Sequence, residues 1–96
     1  MHHYVAIVED EGPERAIGLW FPDLPGCFAA GDTVDDAMEN ASEAITLYAE
    51  ALAKEGRSLP PARAVADLKR DPTFAEDVRG NMIALIAAPQ PAAAAE

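Results

Sequence analysis

Phe21-Pro22-Asp23-Leu24-Pro25-Gly26-Cys27-Phe28-Ala29-Ala30-Gly31-Asp32-Thr33 is the stretch on which the reading of this chain turns. Pro22 and Pro25 each lack the N–H that a strand ladder needs and each fix their own φ, so the segment cannot lie inside a central strand. Phe21, Leu24, Cys27 and Phe28 are too many apolar side chains for a solvated loop. A segment both rigid and apolar reads as a structured corner between two strands, packed onto a core. Gly31-Asp32-Thr33 then closes one element and opens a helix.

On the N-terminal side, Tyr4-Val5-Ala6-Ile7-Val8 is a compact β-prone run. Glu9 to Pro13 supplies charge, a Gly and a Pro, which predicts a hairpin loop of about five residues. Arg15 to Phe21 reads as the return strand, with Ile17, Leu19 and Phe21 on one face and Ala16, Gly18 and Trp20 on the other. Gly26 to Ala30 is expected as a short third strand entered through the corner. Short connections favour antiparallel pairing.

On the C-terminal side the period changes. Thr33 is a good N-cap with Asp36 three residues on. Val34, Met38, Ala41, Ile45, Tyr48 and Leu52 recur at steps of four and three, one apolar stripe of a long helix that Gly56 ends just after Lys54. Asp36, Glu39, Glu43 and Glu50 fall on its opposite face. Leu59-Pro60-Pro61 is a stiff connector, Ala62 to Lys69 suits a two-turn helix, and Asp71-Pro72 closes or restarts it. Thr73 to Arg79 is ambiguous between helix and loop. Asn81 to Ala87 is an apolar run of strand length, expected to join the sheet buried on both faces or nearly so. The expected class is α+β, in the order β-β-β-α-α-β: a three-stranded antiparallel sheet, a long helix, a short helix and a further strand. Residues 1–88 form one domain on this reading, and 89–96 have the composition of a Pro/Ala-rich linker.

Composition bounds the function. Half of the 96 residues are hydrophobic but 21 are alanine, so large side chains are scarce and the core is thin. A small domain with a thin core favours burial against a second copy or a partner, and a homo-oligomer (dimer or tetramer) is expected. Seventeen acidic residues against seven basic give a net charge of −10, the reverse of what phosphate neutralisation requires, so this domain alone is not expected to bind nucleic acid. Such acidity either only keeps a small domain in solution or steers it toward a basic partner. A single cysteine excludes an internal disulfide. With no signal-peptide pattern and no apolar run of membrane-spanning length, the expected location is cytoplasmic.

No catalytic or metal constellation stands out. His2 and His3 are adjacent, point to opposite faces if in a strand, and have no second ligand cluster. Cys27 has no neighbouring base in sequence to lower its pKa. The helix carboxylates line an outer face rather than converge on a cleft, as a two-metal nuclease would need. Neither a Gly-rich phosphate loop nor a nucleophile elbow is present, and no cofactor is expected.

The corner Phe21 to Phe28, then Gly31 to Ala41, Ala44 and Leu47-Tyr48, resembles the HicB family of antitoxins, over a span from about Tyr4 to Ala87. The resemblance implies a partial RNase H-like fold, and binding rather than catalysis. HicB proteins neutralise HicA, a small basic toxin that cleaves mRNA using a histidine. Many continue into a C-terminal DNA-binding domain, whereas this sequence stops after its Pro/Ala segment, so operator binding is not carried over. The catalytic carboxylates of RNase H enzymes are unmatched. The partner-contact candidates are Trp20, Phe21, Leu24 and Phe28 as core or interface anchors, with Asp23, Glu39, Glu43 and Glu50 as acidic contacts. A second reading is a self-associating scaffold that dimerises a DNA-binding domain beyond this sequence.

Overall fold

Residues 3–89 are described by the computed structural model. They form β1 (His3–Glu9), β2 (Ile17–Trp20), β3 (Phe28–Gly31), α1 (Val34–Lys54), α2 (Val65–Arg70), α3 (Ala75–Gly80) and β4 (Met82–Ala87). All four strands belong to one antiparallel sheet in the order β3-β2-β1-β4. The α+β class and the antiparallel sheet with its long helix match expectation, with the fourth strand part of the same sheet and two short helices instead of one. The 89–96 linker assigned from composition lies, from residue 90 on, outside the described residues.

Central position explains why β1 reads as an unbroken apolar run: Tyr4 to Val8 are all buried because both faces of the sheet are covered. Tyr4, Ala6 and Val8 join Ile17, Leu19, Phe21, Ala84 and Ile86 beneath Ala37, Ala41 and Ile45 of α1. On the reverse face Val5 and Ile7 pack with Leu68 of α2 and Val78 of α3, flanked by Trp20, Phe74 and Ile83. The result is three layers, α1 on one side of the sheet and the α2–α3 pair on the other.

The corner is two β-turns in series. Leu24 N–H donates to the Phe21 carbonyl (3.2 Å) and Cys27 N–H to the Leu24 carbonyl (3.0 Å). Pro22 and Pro25 occupy the second position of each turn, where a fixed φ is an advantage. Gly26 follows Pro25 with φ +84°, the left-handed conformation that the third position of a type II turn demands. Because Gly26 and Cys27 are used in the turn, β3 starts at Phe28 and not at Gly26. The β1–β2 connection is longer than a five-residue hairpin. Asp10 accepts from Gly12 N–H (3.1 Å) and Gly12 carbonyl accepts from Arg15 N–H (3.1 Å), so residues 10–16 make two small turns in succession.

Helix α1 begins and ends as its sequence requires. Thr33 Oγ1 accepts from Asp36 N–H (3.0 Å) at the start. At the end Gly56 N–H donates to Ala53 carbonyl (3.0 Å) and Arg57 N–H to Leu52 carbonyl (2.9 Å), the paired bonds of a Schellman motif. Its first turn lies directly on β3: a Cβ at Gly31 would stand 2.5 Å from Ala37 N and 2.8 Å from the Asp36 carbonyl carbon. Those are backbone atoms that cannot yield singly. The variant Gly31→Val is therefore expected to destabilise the fold by about 2 kcal/mol or more, read as a lowered urea midpoint, because overpacking must displace the helix from the sheet.

A candidate partner-binding surface

The eight candidate residues do not share one surface. Phe21 (2% exposed) and Leu24 (0%) are in the main core, so they shape a surface from beneath and cannot touch a partner without unfolding. Phe28 is 70% exposed, at the outer edge of the sheet. Trp20 stands opposite it in register, half-buried on the face that carries α2 and α3. Its Nε1–H donates to Glu9 Oε2 (3.0 Å), and its ring lies 6.2 Å from that of Phe74. Trp20 is thus committed largely to the second core cluster, while Phe28 beside it is solvated.

Asp23 is spoken for as well. Its carboxylate accepts Arg63 N–H at Oδ2 (2.8 Å) and Arg63 Nε–H at Oδ1 (2.7 Å), and its side chain is only 7% exposed. The Arg63 guanidinium also donates from Nη1 to Asp71 Oδ2 (3.0 Å) and lies 5.7 Å over the Phe74 ring. Tyr4 hydroxyl donates to the Pro60 carbonyl, and Tyr48 hydroxyl to the Pro25 carbonyl (2.9 Å). The corner, the connector and both helical layers are bound together here. Burial raises the Tyr4 phenol pKa, with the Asp23 charge adding to the effect, and burial likewise pushes the Cys27 thiol up. The thiol has no low-pKa environment for nucleophilic chemistry.

Glu39, Glu43 and Glu50 are exposed along the outer side of α1, with Asp35 and Asp36 in its first turn. Among the described residues none of these five carboxylates forms an ion pair, and Lys54 is the one base in the helix. Arg57, Arg63, Lys69, Arg70 and Arg79 all follow the helix in sequence, and three of them are paired with Glu55, Asp23, Asp71 and Asp67. The acid of α1 therefore presents an uncompensated field. Leu47, 65% exposed, stands within it and lines a shallow depression with Ser42, Glu43 and Thr46. One turn toward the N-terminus, Asp35, Met38, Glu39 and Ser42 line a groove with Leu85, Ile86 and Ala87 of β4.

Reading the sequence alone missed Asp35, Leu47, Met82 and Leu85. Leu47 departs from the apolar stripe of α1, a signal that was present. For β4 no such signal existed: the run was expected to be covered on both faces, and instead it is an edge strand in which Met82 (54%) and Leu85 (55%) are exposed. Among the described residues no three metal-ligating side chains gather, and no helix is long and apolar enough to cross a membrane.

Two measurements test the corner network. Asp23→Ala removes the acceptor of both Arg63 N–H and Arg63 Nε–H, leaving the guanidinium only Asp71, and is expected to cost about 2 kcal/mol, whereas exposed pairs such as Arg15–Glu11 contribute about 0–1 kcal/mol. Chemical denaturation of Asp23→Ala beside Glu11→Ala separates these. Asp71 is held below the usual carboxylate range by hydrogen bonds from Thr73 N–H and then from Arg63. A carboxyl with a lowered folded pKa stabilises the protein above its unfolded value and loses that contribution as pH falls through the folded one. Denaturation midpoints followed downward from pH 5 should therefore drop below about pH 4, and less so in Asp71→Asn.

The family model described as "HicB_like antitoxin of bacterial toxin-antitoxin system" matches residues 4–89. The antitoxin HicB of Burkholderia pseudomallei superposes with a TM-score of 0.75 at 29% identity, over 92% of this chain and 64% of that one. A chain of the HicA3 and HicB3 toxin-antitoxin complex superposes with a TM-score of 0.69 at 30% identity, over 92% of this chain and 99% of the other. A 14.9 kDa protein of Haemophilus phage HP1 is 40% identical over 53 residues, which span 55% of this chain and 40% of the phage protein. The chain thus spans under two thirds of the length of the full antitoxin and of the phage protein. A family match over residues 4–89, with the same fold shared over 92% of the chain, places the chain in the family of HicB-like antitoxins of bacterial toxin–antitoxin systems.

Proposed function

We propose that this domain neutralises a small basic HicA-like mRNA-cleaving toxin by capturing it on the acidic outer face of α1. The observation that carries the reading is the row Glu39, Glu43, Glu50 with no ion-pair partner among the described residues, beside exposed Leu47. Carboxylates already paired within the fold would have little field to offer a partner; these have all of theirs. Long-range attraction raises the encounter rate, and a desolvated apolar side chain then slows departure. The solved HicA3–HicB3 complex supports a partner of the HicA type.

On this reading Glu39, Glu43 and Glu50 contact the toxin directly and Leu47 is the apolar anchor among them. Phe28, solvated and next to Trp20, is a second apolar contact for a partner that reaches round the edge of β3. Phe21, Asp23 and Leu24 act from within, by holding the corner on which β3 and α1 rest. The α1 acids are separated by one or two helical turns, so a partner meets them as a row and not as a point.

The test is binding to a catalytically silenced HicA-type protein from the neighbouring reading frame. A complex is expected that weakens as salt rises past the ~8 Å screening length of physiological ionic strength. Reversing charge with Glu39→Lys, Glu43→Lys and Glu50→Lys together should lower the association rate about tenfold or more while leaving the fold intact, since the three side chains are exposed. Failure of the wild-type domain to bind at moderate salt would remove the proposal.

A further inference from the structure

The two edges of the sheet are unlike. β3 is four residues long, is overlaid by the first turns of α1, and has its Ala30 carbonyl taken by Asn40 Nδ2–H (2.7 Å). β4 is six residues, Met82-Ile83-Ala84-Leu85-Ile86-Ala87, with neither a charge nor a proline. It pairs without interruption along β1, from Met82 opposite Val8 to Ala87 opposite His3, so no bulge turns it away. Among the described residues nothing pairs with its outer side. Natural sheets blunt such edges with lysine, proline, bulges or a covering segment, because unpaired N–H and C=O groups are a template for another strand. Among the described residues none of these devices is present at β4.

Side chains beside this edge say what would fit it. On the α1 side of the sheet the groove has Met38 and Ile86 in its floor and Asp35 and Glu39 in its wall. On the opposite side Leu85 is half-exposed. Successive residues of a strand point to opposite faces, so a strand laid along β4 would alternate between acid and Leu85. A second copy of this chain fits poorly. Pairing β4 with its own copy about a two-fold axis keeps both α1 helices on one face and brings Asp35 and Glu39 of each toward the other, in a chain of net charge −10.

We infer that the outer edge of β4 receives an extended segment of the basic toxin partner by strand addition, its lysine or arginine side chains facing Asp35 and Glu39 and its apolar side chains covering Leu85. This rests on the toxin-capture reading above and gives it a second, backbone-mediated contact. Main-chain hydrogen bonds supply register, and the alternating side chains supply selectivity.

Amide hydrogen exchange of the domain alone and bound to the silenced HicA-type protein tests this, together with the affinities of Leu85→Glu and of the double variant Asp35→Lys/Glu39→Lys. The inference expects every second amide of residues 82–87 to slow on binding, and each variant to bind at least about tenfold more weakly. The exchange measurement uses the unaltered chain, so it stands even where a variant folds poorly. A complex that forms while β4 amides exchange as in the free domain overturns the inference and leaves toxin capture standing. No complex overturns both. A free domain that is a dimer with protected β4 amides, made monomeric by Leu85→Glu, also overturns it, the occupant then being a second copy.

Discussion

The carboxylate of Asp23 is the interaction on which the rest of the arrangement hangs. It takes both the backbone and side-chain N–H of Arg63, forty residues away, and so ties the turn after β2 to the chain that leaves α1 for α2. The two prolines make this economical. They fix the tandem turns before folding, so little conformational entropy is lost in presenting Asp23 at the right place. Pro25 carbonyl meanwhile receives the Tyr48 hydroxyl of α1. One seven-residue corner is thus bonded to the layer above the sheet and to the segment that crosses to the layer below it.

A thin core needs such ties. Ala37 and Ala41 meet the sheet beside Ile45, and these two allow close approach more than they fill volume. Gly31 carries the same logic to its limit, since no side chain at all fits between β3 and the first turn of α1. Close approach gains dispersion contacts that few large residues are available to supply. It also leaves the outer side of α1 free of structural duty, and there the acids stand unpaired. Stability and the proposed capture surface therefore occupy opposite sides of one helix.

Much of this was legible beforehand. The capped start and Schellman end of α1, the inward faces of β2 and the structured nature of the corner all follow from local rules: period, capping side chains and fixed φ. The same rules went astray where one residue has two available uses. Gly26 fits the start of a strand by local pattern and serves a type II turn. Asp23 was read as an acidic contact for a partner and is nine-tenths buried against Arg63, because charge in a sequence carries no record of its partner forty residues on. Phe28 and Leu24 are both apolar residues of one corner, yet they differ between 70% and 0% exposed.

By itself, then, the sequence determined the four strands and the long helix, their order, the buried stripe of that helix and the acidic character of the molecule. Each depends on residues within a few positions of one another. Only the tertiary structure decided the strand order, and with it that β1 lies in the middle and β4 at an edge. Both strands are apolar runs of similar length, and nothing local distinguishes a strand with two neighbours from a strand with one. It likewise decided that the α1 carboxylates go unpaired among the described residues while those of Asp23 and Asp71 do not. Which acids meet a base depends on where the bases that follow α1 come to rest, and Arg63 rests beside Phe74 of the reverse-face cluster, within reach of Asp23 and Asp71.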